Sequence, residues 1–232
     1  MSIKLTIIHV RHGLSCTNVI QAFAPEEFKW NRYRYRDPEL TSRSLDNIKT
    51  VEAPGDVDAV FSSTMIRAQE TALHLYPNRT ITLVPFMREI GDEAENTISE
   101  SHFEQKTLIG EAMSNRIDPQ YVVDSNDIWT KDAYKTDYNK WLQWISKWVR
   151  QQHKKTGKKS FKILVTTHSS LMMKVFNLQE RPNNICMISS EYKVTKGKIR
   201  SDGHPHKIIF EGIPQPSYIN FGDVKRCRMH QF

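Results

Sequence analysis

Arg11-His12-Gly13 closes the apolar run Leu5-Thr6-Ile7-Ile8-His9-Val10, and Thr166-Thr167-His168-Ser169-Ser170 closes a second apolar run that begins at Ile163. Arginine is a planar donor suited to phosphate, histidine serves as nucleophile, acid or base, and glycine lets the backbone approach a ligand closely. Two further segments carry matching groups. Ser62-Ser63 ends a third run with Arg67 one helical turn beyond it, and Met87-Arg88-Glu89-Ile90-Gly91 follows a fourth. Two histidines, two arginines and a carboxylate meet the needs of phosphoryl transfer through a covalent phosphohistidine. A neutral imidazole attacks phosphorus, cations hold the equatorial oxygens, and a carboxylic acid protonates the leaving oxygen before activating water. Glu89 is the expected carboxylate, with Glu93 and Glu95 close enough in sequence to be rivals.

These groups converge only if the runs are strands ending on one edge. The apolar segments Leu5–Val10, Ala59–Ser62, Ile81–Pro85, Ile163–Thr167, Ile185–Ser190 and Ile208–Gly212 have the length and residue types of strands. Helical spacing appears between them. Thr64–Leu75 starts at a cap candidate, Asp137–Gln152 carries a stripe of Trp141, Leu142, Ile145, Trp148 and Val149 suited to core packing, and a third helix follows His168. Alternation of this kind predicts a three-layer α/β/α fold: a mostly parallel sheet flanked by helices, with active groups at the C-terminal strand ends. His9, on the opposite face from Val10, is expected to pack without chemistry.

Within this sequence the motifs resemble those of the histidine phosphatase superfamily, in the phosphoglycerate mutase-like branch. The resemblance rests on Arg11-His12-Gly13-Leu14-Ser15-Cys16-Thr17-Asn18, Asp37-Pro38-Glu39-Leu40-Thr41, Ser62 to Ala72, Met87-Arg88-Glu89-Ile90 and Val165-Thr166-Thr167-His168. It implies His12 as the phosphorylated nucleophile, Arg11, Arg67 and His168 as the phosphate pocket, and Glu89 as general acid and then base. Asn18 and Ser169 fall at substrate-contacting positions, and no metal or cofactor is implied. The chain departs from the family at Leu14, Ser44, Glu70 and Ser169, and lacks the mutases' pattern after Glu89. The expected activity is therefore a phosphomonoesterase. Mutase-type transfer and phosphate binding without turnover are the alternatives.

The remaining expectations concern context. At 232 residues, with 38% hydrophobic and 25% charged residues, the composition is that of a globular chain, read as a single domain over 1–232 with an insertion at 92–136 that partly covers the site. A net charge of +7 favours an anionic partner, a phosphorylated small molecule or phosphoprotein. The aromatic-basic run Trp30 to Arg36 comes without a nucleic-acid motif, so nucleic acid is not the expected ligand. No apolar run is long enough for a membrane span. Cys16, Cys186 and Cys227 are odd in number and scattered, which predicts no disulfide and a reducing cytosol.

Overall fold

The computed structural model describes residues 2–26, 29, 36–91, 96, 109–119, 133–218, 221–224, 226 and 227. Its centre is one eight-stranded sheet. Strands β1 (Ser2–Arg11), β2 (Ala59–Ser62), β3 (Ile81–Leu83), β4 (Ile117–Asp118) and β5 (Ser160–Thr167) run parallel in the spatial order β4-β3-β2-β5-β1. Strand β6 (Met187–Thr195) pairs antiparallel with β1, and β7 (Lys198–Ser201) and β8 (Lys207–Phe210) each pair with β6. The register Arg11↔Thr167 and Ser62↔Thr166 brings the ends of β1, β2 and β5 to one line on the sheet edge. The α/β fold class expected from the alternation is the one observed.

Period-two alternation in the strands feeds two cores. Ile8, Val10, Val60, Ile81 and Leu164 point to one face and pack with helices α2 (Ser42–Lys49) and α3 (Ile66–Leu75). Ile7, Phe61, Ile163 and Val165 point to the other and meet the long helix that follows β4, whose Trp141, Ile145 and Val149 are fully buried. That helix, α5, runs from Ala133 to Thr156, with the short α4 (Glu111–Ser114) preceding β4. Edge-to-face contacts of Phe61 with Trp141 and Trp148, each at 5.5 Å between ring centroids, give the expected packing role to the aromatic stripe. His9 is enclosed on the same side, with Nε2 3.3 Å from the Tyr138 hydroxyl.

Several expectations need correction. Part of the 92–136 segment is sheet rather than cover: Ile117 and Asp118 extend the edge beside Ile81 and Thr82, a two-residue strand too short to leave a periodic signal. Residues 92–95, 97–108 and 120–132 lie outside the described residues, as do 30–35 of the aromatic-basic run. Thr64 does not cap α3. Its first turn is closed from a distance by the buried Asp37, whose Oδ1 accepts the Ile66 N–H at 2.8 Å. The expected absence of a disulfide is overturned by a bond between Cys16 and Cys227, 211 positions apart. The C-terminal segment returns across three helices: Gln215 donates to the Asn18 carbonyl of α1 (Cys16–Phe23), Asp223 pairs with Arg43 of α2 and Arg226 pairs with buried Glu70 of α3. A pairing set by chain return leaves no local spacing to read. The cysteine count therefore gives no support to a reducing compartment, since such bonds persist in oxidising ones. Cys186 remains free and buried. Among the described residues no helix is long and apolar enough to cross a membrane.

Candidate active site

The end of β1 is fixed by backbone bonds on both sides. Arg11 N–H donates to the Cys186 carbonyl at 3.0 Å and His12 N–H to the Thr167 carbonyl at 2.9 Å. Gly13 packs closely against α2: a Cβ there would lie 2.2 Å from Ser44 Oγ, so the serine hydroxyl would have to turn aside to admit one. The Gly13 N–H donates to Thr71 Oγ1 at 2.9 Å, which ties the loop to α3. Gly13 and α3 together set the His12 ring. Its Nδ1 lies 2.6 Å from the Gly13 carbonyl, and a carbonyl only accepts, so Nδ1 carries the proton. The lone pair is left on Nε2. Burial, reinforced by the Arg67 and Arg11 charges, holds the imidazole well below its ordinary pKa, so it is neutral at physiological pH.

The other expected groups gather around His12. The His168 ring lies 5.1 Å from the His12 ring, with Nε2 2.9 Å from Ser63 Oγ at the end of β2, and is likewise kept neutral by burial and by Arg67. Arg67 projects from the first turn of α3 and donates to Asn96 Oδ1 at 2.9 Å. The helix that carries it is positioned by Asp37 and by Glu70, whose Oε2 accepts the Leu40 N–H at 2.7 Å. This explains the Asp37 to Thr41 motif as a support of the helix that carries Arg67. Buried Arg11 donates to the Pro182 carbonyl at 2.5 Å. Burial, with the neighbouring Arg181 charge next in importance, pulls its pKa down to about 10, which leaves it charged.

Glu89 reaches the same place by another route. Thr167 Oγ1 donates to the Met87 carbonyl at 2.9 Å and holds the short 3-10 turn Pro85–Met87 against β5. Glu89 Oε1 then accepts the Ile90 N–H at 2.9 Å. Its Oε2 lies 3.4 Å from Ser169 Oγ and from the Ser170 N–H, at the start of α6 (Ser169–Phe176), where the helix dipole favours a negative group. Ser169 thus touches the carboxylate. Asn18 spends its Oδ1 on the Ser15 N–H in the capping box of α1, with its side chain at the cleft. His12, Asn18, Arg67, Glu89 and Ser169 line one cleft of about 300 Å³, with Arg11 and His168 not among its lining residues. Asn96 and Arg181 line it too, and sequence reasoning missed both. Neither stands in a motif, and a single polar residue outside the periodic runs carries no signal of its own. The rival carboxylates Glu93 and Glu95 lie outside the described residues.

Neutral buried histidines make stability depend on pH. Burial takes His9 down to about 3 and puts His12 and His168 well below the ordinary 6.5. The unfolded chain therefore binds protons below 6.5 that the folded chain refuses, and stability falls as pH falls. Glu70 acts in the opposite sense: burial raises it to about 7, so between 4.5 and 7 the folded chain holds one proton the unfolded chain lacks. Three histidines against one carboxyl, with His74 also held below its ordinary value by burial, leave a net loss of stability as pH falls from 7 towards 5. Urea midpoints between pH 7 and pH 5 are expected to fall steeply. A flat profile would mean that the three rings are not held neutral.

No protein-family model matches the chain, and no curated protein matches it in sequence. Solved structures do match. Phosphoglycerate mutase from Bacillus anthracis str. Sterne superposes with a TM-score of 0.53 over 87% of this chain and 92% of its own, at 15% identity. A protein described as mycobacterial hydrolase 2 superposes with a TM-score of 0.53 over 93% of each chain, at 14% identity. With its parallel strands ending at one cleft edge and helices on both faces, the chain has the phosphoglycerate mutase-like α/β fold.

Proposed function

We propose that the chain is a phosphomonoesterase of the histidine phosphatase type, working through a phosphohistidine on His12. The observation that carries this reading is the state of the His12 ring: neutral, with Nδ1–H held by the Gly13 carbonyl and the Nε2 lone pair free beside two arginines and a carboxylate. In the first step Nε2 forms a bond to phosphorus while the bond to the ester oxygen breaks. Arg11, Arg67 and His168 stabilise the charge on the phosphoryl oxygens. Glu89, in its acid form, gives its proton to the leaving alkoxide. In the second step the resulting carboxylate takes a proton from water, the hydroxide attacks phosphorus, and the phosphorus–nitrogen bond breaks to restore His12. Asn18 and Ser169 hold positions from which they contact substrate and carboxylate. The chain lacks the pattern that follows the carboxylate in mutases, which favours water as the acceptor. A phosphorylated small molecule suits a cleft of about 300 Å³.

The test is phosphate release from phenyl phosphate together with an alkaline denaturing quench in the steady state. The expected result is catalytic release and a covalent phosphoenzyme, labile to acid and stable to base, mapped to His12. Phosphate release with no such intermediate would overturn the mechanism. A lasting phosphohistidine that is loaded by a bisphosphate primer and discharged only to a second acceptor would identify a mutase instead.

A further inference from the structure

The C-terminal segment is held to the site-bearing helices by polar and covalent contacts rather than by packing. Among the described residues from Pro214 to Cys227 none is buried. Its contacts with α1 and α2, a hydrogen bond from Gln215 to the Asn18 carbonyl and the ion pair of Asp223 with Arg43, lie near solvent, where such contacts hold weakly. A segment that buries so little opens at low cost. The exception is its end. Arg226 reaches Glu70, which is 2% exposed, and the next residue, Cys227, is bonded to Cys16. The covalent bond beside Arg226 keeps its guanidinium next to Glu70 at high effective concentration.

Glu70 divides its two oxygens between this clasp and the site. Oε1 accepts from Arg226 Nη2, and Oε2 accepts the Leu40 N–H at 2.7 Å. Leu40 belongs to the segment whose Asp37 closes the first turn of α3 at Ile66, next to Arg67. The same segment grips the chain that follows His12, through Thr41 N–H to the Leu14 carbonyl and Cys16 N–H to the Glu39 carbonyl. A buried carboxylate stripped of its cation is costly, and burial already raises Glu70 to about 7 with Arg226 in place. Without Arg226 the group takes up a proton, and its bond to Leu40 loses the assistance of charge. Glu70 is also one of the positions at which the chain departs from the family pattern. Building on the phosphoryl reading above, we propose that Arg226 is a positioning residue for the phosphate pocket, acting through Glu70 and α3 on Arg67, and that the Cys16–Cys227 bond is the redox-sensitive clasp that holds it there.

A dithiol opens the clasp. One thiolate attacks Sγ of half-buried Cys227, since Cys16 is only 3% exposed, and the S–S electron pair leaves on Cys16 Sγ, which takes up a proton. The second thiol then displaces Cys227, so that the protein gains two thiols and the dithiol is oxidised to its disulfide. The test is calorimetric titration of the full chain with inorganic phosphate before and after dithiothreitol, with far-UV circular dichroism of both forms. Alkylation under denaturing conditions should count one thiol, Cys186, in the oxidised chain and three in the reduced chain. Reduction is expected to weaken phosphate binding about fivefold or more at unchanged secondary structure, and reoxidation to restore it. The readout is the ratio of oxidised to reduced affinity. Arg226→Met should weaken the oxidised form by a similar factor and bring the ratio close to one. Glu70→Gln should also bring it close to one, because a neutral amide needs no cation. A strap that only braces the fold would keep the parent ratio in both variants and overturn the positioning role, as would loss of secondary structure on reduction. Three thiols in chain purified without reductant would overturn the clasp. Failure of the oxidised parent to bind phosphate would remove the phosphoryl pocket, and the clasp with it. Equal binding in both redox states would remove the clasp alone.

Discussion

His12→Ala is expected to reduce phosphate release by about 10⁴-fold or more, because it removes the atom that accepts the phosphoryl group. The size of the effect follows from the division of labour at the site. Arg11, Arg67 and His168 are positioned independently of the His12 side chain: Arg11 by Pro182, Arg67 by the Asp37- and Glu70-supported helix, His168 by Ser63. The backbone bond from His12 to Thr167 does not involve the imidazole. The variant should therefore keep its anion pocket and bind inorganic phosphate, while losing turnover and the covalent intermediate together. Side-by-side phosphate titration and rate measurement separate these effects. A variant that binds phosphate and still turns over within tenfold of the parent would show that water attacks the ester directly, with His12 only a ligand.

Why some groups of the candidate site are legible in the sequence, and others are not, has a physical basis. Parallel strands put their C-terminal ends on one edge, so a polar residue directly after an apolar run announces its own position. Arg11, His12 and His168 are legible in this way, and Arg67 by its place one turn into the next helix. The same logic fails where position depends on chain return. The Cys16–Cys227 bond and the Arg226–Glu70 pair join segments that no local pattern relates. Asp37 was read as part of a motif, but its work on the Ile66 N–H is a tertiary contact in place of the Thr64 cap that local rules predict. The edge strand at Ile117–Asp118 is held by its parallel neighbour rather than by its own two residues. Arg181 sits in the connection between α6 and β6, where side-chain direction follows from backbone anchoring and not from periodicity.

Glu89→Gln should separate the two halves of the reaction. Gln keeps the size of the side chain and an oxygen able to accept the Ile90 N–H, so the geometry at the start of α6 is preserved. It cannot give up a proton to a leaving alkoxide. Alkyl phosphates, whose leaving oxygen is strongly basic, should lose about 10²–10⁴-fold in rate at the first step. A nitrophenyl phosphate has a stable leaving anion and needs little protonation, so His12 is still phosphorylated quickly. The missing general base then slows the attack of water. The expected trace is a burst of one nitrophenolate per active site followed by a slow steady rate, with the phosphoenzyme accumulating. Alkyl substrates should give no burst. An equal fall for both substrates without a burst would make Glu89 a positioning residue for Ser169 and Ser170, which its 3.4 Å contacts also permit. An unchanged alkyl rate would assign the proton to another group at the cleft.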